Sequence, residues 1–463
     1  MTGQGNERPS GLLSWLRGIF GPRGPRRSTR DLEAETLQVQ IDIIRSAFDE
    51  EVGVHYGDHG EFLYLYHPSR ALVRSEHLVE VDTYVRDSGN FDGEGTSVEL
   101  IDGLVLYEFP PRARDDGDVL VTLAELDARN GRSIASPDHI LHVVGQPGKA
   151  CPATEPLPPT SGDPVPAVSK NATLGRGIRV SVVDTGWHSP AAQDGHTTWL
   201  ATGVEGDEEQ LATVGTDRII HEYAGHGTFV AGVLKCIAPA TDIEIEGFLT
   251  QGGAIWESAI TRELNQAMTD YEDDPTTRRF DPQLPDLISI SAGTHTRNDE
   301  GLLGFEMLAR LYRWAEDGGP LVVAAAGNEG RDLPFYPAAF DWVVGVGSLD
   351  RDGRRSDFSN FGDWVDVYAH GRDLVNAFPT GTYTYVEPAS GKLCGTTQTF
   401  TSIARWSGTS FATPIVSGLI AAYMSEHKGT SARQARDALI AAAPTIQDGK
   451  VGTLKALGPP FVP

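Results

Sequence analysis

The 463-residue chain has only three cysteines, Cys151, Cys236 and Cys394, an odd number spread far apart. This excludes a disulfide framework or a CxxC-type metal site and permits a reducing compartment. No apolar run approaches the roughly 18 residues that cross a bilayer. The nearest thing to a secretory apolar region, residues 11–21, is interrupted by Arg17 and lacks a small-residue cleavage site. Arg26-Arg27 leads into Ser28-Thr29-Arg30-Asp31, not into the apolar stretch of a twin-arginine signal. The expected location is therefore cytoplasmic. Positive charge is also scarce: 38 Lys+Arg against 64 Asp+Glu leaves −26, which repels phosphate backbones and argues against nucleic-acid binding.

What is present fits a loop-rich globular protein. A 40 % hydrophobic content with 52 Gly and 29 Pro excludes disorder throughout, a collagen-like repeat and a long coiled coil. The length suits one large domain with a smaller companion, or two to three domains. Residues 1–30 read as a basic flexible tail, with six Arg against the single acid Glu7. Leu12, Leu13, Leu16, Ile19 and Phe20 share one helical face there, suited to weak contact with a membrane surface or a protein. Gly11, Gly18 and Gly21, at about 1 kcal/mol each, favour a disordered leader instead.

Residues 31–145 read as a small α+β domain: helices over 32–48 and 119–130, alternating apolar strands over 61–66 and 103–109, and a last strand over 140–144. Seven prolines in 146–177 mark a linker crossing a surface. In 178–445 strands (178–184, 242–249, 286–291, 321–326, 343–346) alternate with helices (227–237, 254–271, 305–315, 410–424, 431–443). The fold class expected is α/β, a mostly parallel sheet flanked by helices, preceded by the α+β domain. The continuous apolar run over 321–326 is what a strand buried on both faces requires. Residues 446–463 read as a C-terminal tail.

Working residues in open α/β sheets collect at the carboxyl ends of strands. Four stretches qualify: Val183-Asp184-Thr185-Gly186, Gly225-His226-Gly227-Thr228, Gly327-Asn328-Glu329-Gly330, and Ser407-Gly408-Thr409-Ser410-Phe411-Ala412-Thr413-Pro414. Singly, each has a plain structural reading as a cap or a turn. Together, Asp184, His226 and Ser410 supply an orienting carboxylate, a base that titrates near neutrality and a nucleophile. Asn328 can donate its amide to an oxyanion.

In this order, VVDTG, GHGTFVAG, AAAGNEG and SGTSFATP closely resemble the subtilisin-like serine peptidases, over about residues 165–445. The resemblance implies a serine endopeptidase acting on protein or peptide substrates, with Asp184, His226 and Ser410 as triad and Asn328 as oxyanion donor. It also implies that Ser291, Ala292 and Gly293 pair with an extended substrate, and that Ala325, Ala326 and Gly327 wall its first side-chain pocket. The other reading of these six is close packing of small residues. Phe229 stands where the family has a His, a change expected to be tolerated. The direct run from Leu234 to Pro239 lacks the loop that binds calcium in many secreted relatives, so no cofactor is expected and calcium is unsupported. Residues 123–141 resemble the end of an inhibitory prodomain, which implies a self-inhibited zymogen whose segment after Val144 enters the groove; a permanent accessory domain is the other reading. The alternative function is a catalytically silent peptide-binding module on the same fold.

Overall fold

A computed structural model describes residues 29–458, apart from 49–50, 114–116, 144–154, 164–165, 215–216, 251 and 274–283. Nearly all of the basic tail, with its expected contacts, and Cys151 lie outside the described residues.

The N-terminal region comprises α1 (Thr29–Ala47), β1 (Gly53–Tyr56), β2 (Phe62–Arg74), α2 (Leu78–Ser88), β3 (Thr96–Ile101), β4 (Leu104–Glu108), α3 (Val119–Asn130) and β5 (Ala135–His142). Local chemistry sets the ends of α3: Asp118 accepts the Leu120 N–H at 2.9 Å, and Gly131 closes the helix at φ 66°. The larger region carries β6 (Arg179–Val183), β7 (Val204–Gly206), α4 (His226–Ile237), β8 (Asp242–Glu246), β9 (Ala254–Trp256) and α5 (Glu257–Asp273). After these come β10 (Leu287–Ile290), α6 (Leu303–Leu311), β11 (Leu321–Ala325), β12 (Val344–Leu349), β13 (Val367–His370), α7 (Thr409–Glu426) and α8 (Ala432–Ala442).

Seven strands form a parallel sheet in the order β13-β12-β11-β10-β6-β8-β7. Both its faces are buried, and alternation along β11 shows how: Leu321 and Val323 enter one apolar cluster with the Phe229 and Phe411 side, Val322 and Ala324 the opposite one. Strand order reverses at β6, so the carboxyl end of β6 is the crevice where such sheets hold ligands.

The N-terminal antiparallel sheet runs β9-β5-β2-β4-β3, with β1 against the start of β2. β9 belongs to the larger region. Residues 254–256, read as the start of a helix, are instead a strand because Ala254, Ile255 and Trp256 pair with His142, Leu141 and Ile140. That partner lies more than a hundred residues away and leaves no local pattern. One face of this sheet shares a core with α5 and α6 through Leu65, Leu72, Ile140, Ile260 and Phe305; α2 and α3 cover the other through Val81, Leu123 and Leu126.

Polar groups lock the same interface. Buried Asp138 accepts the Ser258 N–H (2.9 Å) and hydroxyl (2.6 Å), filling the open N-terminus of α5; burial pushes its carboxyl up to about 7. Glu257 accepts the Gly304 N–H at the start of α6 (2.9 Å) and faces His139 Nδ1 at 3.1 Å, while His139 Nε2 accepts the Arg297 N–H (3.2 Å).

Two stretches, one read as a linker and one as a tail, are more tightly held than expected. In the proline-rich segment, Glu155 is buried and its Oε1 accepts the Val386 N–H at 2.6 Å. Nearby Glu387 accepts from Gln40 of α1 (3.1 Å) and Tyr223 (2.9 Å). Burial pushes both carboxyls up, and the charge of Glu155 adds to the effect at Glu387. The expected C-terminal tail begins as a hairpin, Thr445–Asp448 with Gly452–Lys455, because Leu454 finds an apolar seat beside Tyr368. Among the described residues no helix is long and apolar enough to cross a membrane.

Candidate active site

β6 ends at Val183, and Asp184 follows at the reversal point of the sheet. α4 begins with His226 and α7 holds Ser410 in its first turn. The three side chains are 0, 1 and 1 % exposed. His226 Nδ1 lies 2.7 Å from Asp184 Oδ1, which also accepts the Thr185 N–H at 2.7 Å. His226 Nε2, fully buried, has no hydrogen-bond partner among the described residues. The imidazole is walled by Phe411, 5.1 Å between ring centroids, and by the edge-on indole of Trp406 at 5.4 Å. Phe229 continues this aromatic wall, 4.4 Å from Phe411 and fully buried, where a histidine would need a polar partner of its own.

Ser410 Oγ donates to the Ser291 carbonyl at 3.3 Å, and the Ser291 hydroxyl donates back to the Ser410 carbonyl at 3.1 Å. Asn328 is aimed by Thr409, whose N–H (2.8 Å) and hydroxyl (3.0 Å) both donate to Asn328 Oδ1. That engagement turns the Asn328 NH₂ away from Thr409. Asn360, which the sequence did not single out, shapes the loop behind: its Nδ2 donates to the Ala326 carbonyl (2.9 Å) and its Oδ1 accepts the Glu329 and Arg331 N–H groups (3.1 Å each). An isolated Asn in Ser359-Asn360-Phe361 carries no sequence signal of that role.

Ser291, Ala292 and Gly293 follow β10, and Gly293 already has a strand against it. His142 N–H donates to the Gly293 carbonyl (3.0 Å) and Gly293 N–H to the His142 carbonyl (3.1 Å). On the other side, Val143 N–H donates to the Gly253 carbonyl at 2.9 Å. The end of the N-terminal region is thus clamped between two backbones. The segment after Val144, expected in the groove, lies outside the described residues. Ala325 ends β11 and Ala326 and Gly327 follow it, all packed; at Gly327 the positive φ (93°) and a Cβ contact of 2.5 Å with Asn360 Nδ2 together call for glycine. Cys236 is buried on α4 and its thiol is pushed up to about 12, which makes it a core thiol and not a reactive one. Among the described residues no group of three or more His, Cys, Asp or Glu is placed to hold a metal ion.

A family model for the subtilase family matches residues 175–458, more than half of the chain. The chain belongs to the subtilase family and is a serine endopeptidase. Among its relatives, the intracellular serine protease of Paenibacillus polymyxa is 29 % identical over 265 residues, 54 % of this chain and 68 % of that one. Thermitase of Thermoactinomyces vulgaris is 29 % identical over 300 residues, 61 % of this chain and 89 % of its own. The solved structure of a cold-adapted subtilisin-like serine proteinase aligns over 67 % of this chain and 95 % of its own, at 21 % identity and a TM-score of 0.44.

Proposed function

We propose that Ser410 attacks the substrate carbonyl, His226 carries the proton, Asp184 orients the imidazole, and Asn328 with the Ser410 N–H holds the oxyanion. The observation that carries this reading is the buried 2.7 Å contact between His226 Nδ1 and Asp184. A neutral imidazole has one N–H; spent on the carboxylate, it leaves Nε2 with a lone pair and no partner, the state a general base needs. Ser410 sits in the first turn of α7, where unpaired backbone N–H groups favour developing negative charge.

Substrate pairing completes the arrangement. Hydrogen-bonded pairs in an antiparallel ladder recur every second residue, so a strand in the register of His142 and Gly293 brings its residue two positions on opposite Ser291. The N–H of that residue takes the Ser291 carbonyl, releases the Ser410 hydroxyl to His226, and sets its own carbonyl beside Ser410. In this chain that residue is Val144, followed by Gly145. We read the N-terminal region as a self-inhibiting prodomain cleaved there, with Ser291, Ala292 and Gly293 binding substrate backbone and the carboxyl end of β11 (Ala325, Ala326, Gly327) lining the first side-chain pocket. The intracellular serine proteases of P. polymyxa and Bacillus subtilis among the relatives support an intracellular place of action.

Asn328→Ala tests the oxyanion assignment. With a casein-derived peptide, kcat is expected to fall roughly 10²–10³-fold and KM to stay nearly constant, because the amide meets charge that exists only in the transition state. An unchanged kcat removes Asn328 from that role. A silent peptide-binding module would show affinity for the same peptide and no turnover by the wild type.

A further inference from the structure

The acidic run Asp207-Glu208-Glu209 follows β7, and its third side chain is buried. Glu209 Oε2 accepts the Gly225 N–H at 2.7 Å. Thr185 Oγ1 accepts the Gly227 N–H at 3.2 Å. Gly225 and Gly227 flank His226, so the Glu209 carboxyl holds the backbone on one side of the imidazole and Thr185, next to Asp184, holds it on the other. The tie is needed because Gly225, the residue that opens α4, has no side chain to cap it. The Glu209 backbone is itself pinned: its N–H donates to the Trp187 carbonyl (2.9 Å), and the Trp187 N–H donates to the Asp207 carbonyl (2.7 Å). Gly186, at φ 123°, passes so close that a Cβ there would lie 3.1 Å from Glu209 Cβ.

We propose that Glu209 is a positioning residue for peptide hydrolysis, holding the first turn of α4 against the end of β6 so that the His226 ring meets Asp184. This inference rests on the triad reading given above.

The electrostatics suit that role. Burial pushes the Glu209 carboxyl up to about 8, and the charges of Asp184, at the end of β6, and of the adjacent Glu208 act in the same direction. Below that pH Glu209 is uncharged, and Asp184 is the carboxyl that faces the imidazole of His226 on α4. Its Oε1, fully buried, has no partner among the described residues. As pH rises through about 8 the proton leaves, and a second negative charge behind Asp184 favours the imidazolium of the transition state. The expected sign is a gain in kcat on the alkaline side.

The test measures kcat and KM for a casein-derived peptide from pH 6 to 10 in protein made as the whole chain and left to complete its self-cleavage, with Glu209→Ala, Glu209→Gln and Ser410→Ala beside the wild type. Glu209→Ala is expected to lower kcat roughly 10- to 100-fold, the size of a small misplacement of a catalytic group, and to leave KM within about twofold. Glu209→Gln still accepts the Gly225 N–H and is expected to recover most of that loss. It should lack the step near pH 8, where the wild type gains on the order of fivefold. Wild-type kcat in Glu209→Ala, a loss that appears in KM instead, or a pH 8 step retained in Glu209→Gln overturns the proposal. Should Glu209→Ala fail to fold, the step in the near-isosteric Gln variant decides the matter. A wild type whose turnover survives Ser410→Ala defeats the triad reading itself, an outcome distinct from a failure of Glu209 alone.

Discussion

Wild-type protein is expected to be recovered as two fragments, residues 1–144 and 145–463, whereas Ser410→Ala stays a single chain. The cut follows from register. His142 exchanges both hydrogen bonds with Gly293, and Ser410 donates to the Ser291 carbonyl, two residues back along the same edge. A substrate strand in the same register presents the carbonyl of its residue two positions on to the nucleophile, and counting two residues from His142 along the sequence gives an expected cut after Val144. Separation of the fragments is expected to need denaturant. β9 completes the N-terminal sheet, Asp138 fills the N-terminus of α5, and the apolar core runs through both regions. Intact mass and N-terminal sequence of the two proteins read the result directly. A cut elsewhere would displace the register, and a cut that persists in Ser410→Ala would remove that serine from the chemistry.

Asp184→Asn is expected to lower kcat by about 10⁴ with little change in KM, the scale of carboxylate-to-amide exchange in Ser-His-Asp hydrolases. Asp184 Oδ1 accepts from both His226 and Thr185. An amide there can present its NH₂ to Nδ1, forcing the imidazole proton onto Nε2 and abolishing the lone pair that receives the serine proton. The side chain keeps its size, so circular dichroism and thermal midpoint should change far less than the rate. A kcat within tenfold of wild type would show that Asp184 does not set the tautomer.

The expectations that held were carried by local pattern. The apolar run over 321–326 contains β11 (Leu321–Ala325), and the helix expected over 119–130 is Val119–Asn130. Asp184 and His226 stand out in the sequence because one follows a strand and the other opens a helix, each in a stretch with a recognisable order. The misreadings share one cause, a partner distant in the chain. Ala254, Ile255 and Trp256 became a strand through Ile140, Leu141 and His142. Leu454 folded the expected tail back onto Tyr368. Glu155 lies in the stretch read as a linker, yet tertiary packing buries it, as it buries Glu209, which the sequence did not single out. Asn360 reaches the loop at Asn328 from about thirty residues away, which no spacing rule anticipates.

The most direct measurement is covalent labelling of the native protein with a small fluorophosphonate, followed by peptide mapping. The label is expected on Ser410 in the wild type, absent from denatured protein and absent from Ser410→Ala. A label on another serine, or one that survives the Ser410→Ala exchange, would contradict the assignment of Asp184, His226 and Ser410 as one catalytic unit.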